Sequence, residues 1–72
     1  MSKTLKDLKP KQRGIISDVK GPAKRRFMDM GLVKGTEIVV EKIAPLGDPM
    51  EIKIKGYNLT LRREDAESIG IE

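Results

Sequence analysis

Met50-Glu51-Ile52-Lys53-Ile54-Lys55-Gly56-Tyr57-Asn58-Leu59-Thr60-Leu61-Arg62 reads as two strands folded back on each other. Met50 to Lys55 alternates strictly between apolar and charged side chains, and Tyr57 to Arg62 alternates again with Tyr57, Leu59 and Leu61 inward. A period of two puts successive side chains on opposite faces, so each run has one face for a core and one for water. Gly56 and Asn58 supply the turn chemistry between them.

The same pattern extends outward in both directions. Thr36 to Ile43 places Ile38 and Val40 on one face and Glu37 and Glu41 on the other, as a half-buried strand requires. Arg13 to Val19 is rich in β-branched residues and reads as a first strand, with imperfect alternation. Downstream, Arg63 to Ser68 is long enough only for a helical turn, and Ile69 to Ile71 closes the sheet as a last short strand. Between the first two main strands, Gly21-Pro22 opens a helix with Pro22 at its first position, and Gly31 suits its end. Ala23, Phe27 and Met30 fall at helical spacing and define a buried face, while Lys24, Arg25, Met28 and Asp29 point away from it. About five short antiparallel strands that must hide their edges close most economically into a small barrel, with the helix inserted after the first main strand.

At 72 residues the chain has room for one domain, residues 1–72, and can spare little of itself for a deep cleft. Cysteine is absent, so no disulfide framework points to an oxidising compartment, and a reducing cytoplasm fits. Neither the apolar stretch of a signal peptide nor a membrane-spanning run is expected, the longest apolar run being Ile38-Val39-Val40. The net charge of +4 is unevenly spread. Residues 1–26 hold nine basic and two acidic side chains, net +7, and residues 27–72 hold six basic and nine acidic, net −3. Such asymmetry suits an acidic protein surface, an anionic membrane or nucleic acid, and it is equally what a well-solvated surface looks like.

Catalytic chemistry has little to work with. Without histidine or cysteine the usual general base and the usual zinc, copper and thiolate ligands are missing, and no phosphate-cradling glycine motif occurs. The chain therefore reads as a binding module rather than an enzyme, with no cofactor. The carboxylate groupings Glu37 with Glu41, and Glu64-Asp65 with Glu67, are adequately explained by surface solubility, so no metal ligand is assigned. The loop Ala44-Pro45-Leu46-Gly47-Asp48-Pro49 is stiffened by two prolines. It serves equally as a wide hairpin connection or as a preorganised recognition element. A nucleic-acid-binding barrel using residues 1–26 for phosphate contacts is the rival reading. Against it stand the two aromatic rings, Phe27 and Tyr57, whose spacing assigns both to the core and leaves no base-stacking platform.

Three runs together resemble a known family. Arg26-Phe27-Met28-Asp29-Met30-Gly31-Leu32-Val33-Lys34-Gly35-Thr36 is similar to the R-L-x-x-L-G-L-x-x-G-x motif of the FeoA family. Ala44-Pro45-Leu46-Gly47-Asp48-Pro49-Met50 resembles its A-P-x-G-D-P loop, and Leu61-Arg62-Arg63-Glu64-Asp65-Ala66 its L-R-x-x-[DE]-A ending. The likeness runs from Leu5 to Ile71, with Phe27 and Met30 where leucines are usual and Lys11 where a glycine is common. It implies an SH3-like barrel accompanying FeoB, the GTP-binding membrane transporter of ferrous iron, on its cytoplasmic part, and a family-level association with transition metal ions. On that footing the partner-binding surface combines Lys24, Arg25 and Met28 of the helix, Gly31, Leu32 and Gly35 of the following turn, and Pro45, Leu46, Gly47, Asp48 and Pro49 of the loop. An edge strand left by incomplete barrel closure is a route to weak self-association.

Overall fold

The computed structural model describes residues 3–72. Its strands are β1 (Lys3–Thr4), β2 (Arg13–Val19), β3 (Glu37–Ile43), β4 (Met50–Ile54), β5 (Tyr57–Leu61) and β6 (Ile69–Ile71). A 3₁₀ turn covers Leu5–Asp7, and two short helices cover Lys24–Asp29 (α1) and Arg63–Glu67 (α2). The six strands form one antiparallel sheet in the order β1-β6-β2-β3-β4-β5.

The sheet bends around its core because β2 changes neighbours along its length. Arg13 to Ile15 pair with Val39 to Glu37 of β3, whereas Ile16 to Val19 pair with β6. Register shifts at Ser17 in β2 and Glu41 in β3 insert one extra residue each, and such bulges sharpen the local bend. Fifteen apolar side chains fill the interior as one cluster, with Leu5, Ile16, Leu32, Ile38, Val40, Ile52, Ala66 and Ile69 wholly enclosed.

Most of the expected elements are present, with four corrections. The described residues hold six strands where about five are expected; the addition is β1, whose described part is only Lys3–Thr4 and carries no periodicity to read. Helix α1 begins at Lys24, not at Pro22: Gly21 at φ +88° starts a turn in which the Lys24 N–H donates to the Gly21 carbonyl at 3.1 Å. The turn between β4 and β5 is made by Lys55 and Gly56, at φ +47° and +89°, and Asn58 lies within β5 opposite Lys53. Positive φ at both central positions is the type I′ hairpin turn, and the strand register leaves only these two residues free. Finally, Tyr57 is not a core residue. It is 43% exposed, because β5 is the outermost strand, and its hydroxyl donates to the Met30 carbonyl at the end of α1.

The α1 terminus explains the G-L-x-x-G run in physical terms. Gly31 at φ +94° donates its N–H to the Met28 carbonyl at 3.0 Å, and the Leu32 N–H donates to the Phe27 carbonyl at 3.0 Å. This paired pattern is the Schellman stop, and it brings Leu32 against Phe27, both buried. Four residues on, Gly35 at φ +90° lets its N–H reach the Ile16 carbonyl at 2.8 Å, which feeds the chain into β3.

Candidate functional site

Helix α1 shows the solvent a basic face with one apolar residue on it. Phe27 is 1% exposed and anchors the helix, which turns Lys24, Arg25 and Met28 outward. The Arg26 guanidinium lies over the Phe27 ring, 5.3 Å from its centroid. Beside the helix runs a groove of about 340 Å³ lined by Val19, Met28 and Val33 with Lys20, Lys24 and Lys34 around them and Ser17 and Asp18 at one side. The expected site omitted Val33 and Lys34, although both sit inside the recognised motif. What distinguishes them is the turn after Gly31, which returns the chain beside α1, and that return is not visible in residue spacing.

The other expected residues divide by role. Leu32 is fully enclosed and presents nothing to a partner. Gly31 and Gly35 shape the backbone at positive φ. In the β3–β4 connection the Ala44 N–H donates to the Pro49 carbonyl at 3.0 Å and the Gly47 N–H to the Ala44 carbonyl at 2.7 Å, so the loop is a closed hairpin end. The peptide bond between Asp48 and Pro49 is cis. Asp48 turns back into the fold, where its carboxylate accepts the Arg63 N–H at 3.0 Å and caps the first residue of α2. Pro45, Asp48 and Pro49 are exposed as well, and Leu46 is 90% exposed at the loop tip between the two prolines. The groove beside this loop is lined by Ile43, Ala44, Pro45, Pro49 and Met50 among others and shares no residue with the α1 groove.

The basic N-terminal third is less concentrated than its count implies. Lys6 pairs with Glu67 at 3.1 Å, Arg13 with Glu37 at 3.8 Å and Lys20 with Asp18 at 3.7 Å. Residues 1–2 of the rival phosphate-binding segment lie outside the described residues. Among the described residues no group of three or more acidic side chains is placed to hold a metal ion, and no helix is long and apolar enough to cross a membrane.

The FeoA domain model matches residues 3–72. The chain belongs to the FeoA family. The FeoA-like protein of Clostridium acetobutylicum superposes with a TM-score of 0.90 at 36% identity, over 99% of this chain and 85% of that one. The fold is also that of Stenotrophomonas maltophilia FeoA complexed with zinc, a procaryotic SH3 domain protein, with a TM-score of 0.88 at 22% identity over 97% and 89% of the two chains. This FeoA chain thus has the SH3-like architecture. An Fe(2+) transport protein A/Fe(2+) transporter FeoB fusion protein of Porphyromonas gingivalis is 45% identical over 53 residues, 74% of this chain. The chain spans 6% of the length of that relative. The FeoA family is in this way linked to ferrous iron transport, and in one homologue the two proteins are one polypeptide.

Proposed function

We propose that this chain, as one FeoA unit spanning residues 1–72, is a cytoplasmic accessory protein of ferrous iron uptake that docks on an FeoB-type GTP-binding transporter. The fusion in the Porphyromonas gingivalis relative carries this reading. A covalent link between two modules keeps each at high effective concentration near the other, an arrangement that serves a pair whose contact is functional.

The α1 face is the docking surface that the geometry favours. Lys24 and Lys34 flank Met28 and Val33, with Arg25 beside Met28 on the outer side of the helix, so charge steers an acidic surface onto an apolar centre that supplies affinity. The tip of the β3–β4 loop, with Leu46 exposed between Pro45 and Pro49, is a second contact.

The test is titration of the isotopically labelled protein with a full-length FeoB-type transporter in nanodiscs, following each amide signal. Changes confined to residues 24–35 and 45–49 are expected. The double charge reversal Lys24→Glu with Arg25→Glu should weaken association about tenfold at low salt and flatten its salt dependence, because exposed charges are screened within roughly 10 Å at 0.1 M. Unchanged binding by that variant removes α1 from the surface, and no signal change with or without GTP analogues rejects the docking reading.

A further inference from the structure

The two ends of the sheet are guarded very differently. Among the described residues β1 covers Lys3–Thr4 and runs straight into the 3₁₀ turn, so this part of the edge offers little backbone to a newcomer. β5 is five residues long, and Tyr57-Asn58-Leu59-Thr60-Leu61 contains no charge and no proline. Its register with β4 is unbroken by any bulge. In a chain with 36% charged residues, the one other charge-free strand is β6, which is paired on both sides by β1 and β2. Edges of soluble sheets are normally protected by charge, proline, bulges or brevity, and β5 has none of these.

The hydrogen-bonding direction follows from the hairpin. A two-residue turn makes Ile54 and Tyr57 a mutually bonded pair, so the alternate pairs Ile52 with Leu59 and Met50 with Leu61 bond likewise. The N–H and C=O groups of Asn58 and Thr60 consequently point away from β4. Among the described residues neither makes a backbone hydrogen bond to any other segment, and both residues are exposed. On the core side of the same edge, Tyr57 is 43% exposed and Leu59 half-buried, which leaves apolar surface for the next strand to cover.

We propose that the outer edge of β5 is a strand-addition site for an extended segment of a partner protein with acidic ends. Charge selects this occupant over a second copy of the chain. Pairing two β5 strands antiparallel with Asn58 opposite Thr60 sets Lys55 opposite Arg63 at both ends, a like-charge contact repeated by symmetry. A segment with terminal carboxylates meets Lys55 at one end and Arg62 and Arg63 at the other, and its alternating apolar side chains pack on Tyr57 and Leu59. The site is distinct from the α1 face and stands whether or not α1 docks on a transporter.

The probe is the end-capped peptide Glu-Asp-Val-Thr-Val-Thr-Val-Asp-Glu, with a version carrying Lys at all four acidic positions as control, titrated into the labelled protein. Saturable amide shifts at residues 57–62 are expected, with slowed hydrogen exchange at Asn58 and Thr60. Thr60→Pro deletes one outward N–H, a change an edge strand tolerates, and should weaken binding about tenfold while Thr60→Val does not. Thr60→Glu keeps that N–H and the hairpin, and should weaken the acidic peptide while improving binding of the Lys version. Equal affinity for the two peptides, shifts away from β5, or no saturation overturns the proposal. So does sedimentation showing a dimer in which Asn58 and Thr60 are protected without peptide, since the occupant would then be a second copy.

Discussion

Leu32→Ala and Leu46→Ala delete the same atoms from two leucines of one motif-derived site, one wholly enclosed and the other 90% exposed. Leu32 sits against Phe27 below the Schellman stop of α1, so its truncation leaves a cavity at the point where helix and sheet join. Buried Leu→Ala changes cost about 2–5 kcal/mol, and a folded chain of 72 residues has roughly 4–11 kcal/mol in total. Leu32→Ala should therefore lower the melting temperature by at least about 10 °C and shift the urea midpoint at unchanged slope. Leu46→Ala removes no buried contact and should stay within about 0.5 kcal/mol of the parent. Urea unfolding followed by far-ultraviolet circular dichroism measures both, and titration with the transporter then reads binding by the folded variants. Leu46→Ala is expected to weaken binding with stability intact. A Leu32→Ala protein as stable as the parent, or a Leu46→Ala protein destabilised by more than about 1 kcal/mol, would refute the division of the motif into core and contact residues.

Lys11 holds φ +74° at the entry to β2, where its N–H donates to the Val40 carbonyl at 2.7 Å. A non-glycine residue in that region is strained by about 1–2 kcal/mol, partly offset by the larger unfolded-state entropy of glycine, so Lys11→Gly should raise stability by about 0.5–1 kcal/mol in the same urea assay. Gly14 is constrained by packing: an added Cβ would sit 2.9 Å from Ile71 Cγ2 and 3.1 Å from Leu8 Cδ1. Gly14→Ala should cost about 1–3 kcal/mol, and thermal melts of the variant would show a neutral outcome if the neighbours simply move aside.

The strands were legible where neighbouring residues alone carry the signal. Met50 to Ile54 and Tyr57 to Leu61 alternate because each side chain sees its own face of the pleat, and Arg13–Val19 and Glu37–Ile43 declare themselves by β-branched content between turn residues. Gly31 was readable as a helix end for the same reason, since the left-handed conformation is demanded locally. The motif order also sufficed to connect the chain with its family, now matched over residues 3–72.

Contacts between distant residues were not legible. Asp48 looks like part of a recognition loop until its carboxylate is seen to cap Arg63, fifteen positions away. Tyr57 continues an inward alternation yet is exposed, because alternation tells which face a side chain takes and not whether another strand lies beyond it. Periodicity is a property of the backbone conformation, and amino-acid order transmits it directly. Enclosure, capping across the fold and the identity of the edge strand depend on which segments become neighbours, and that is decided only when the whole core closes.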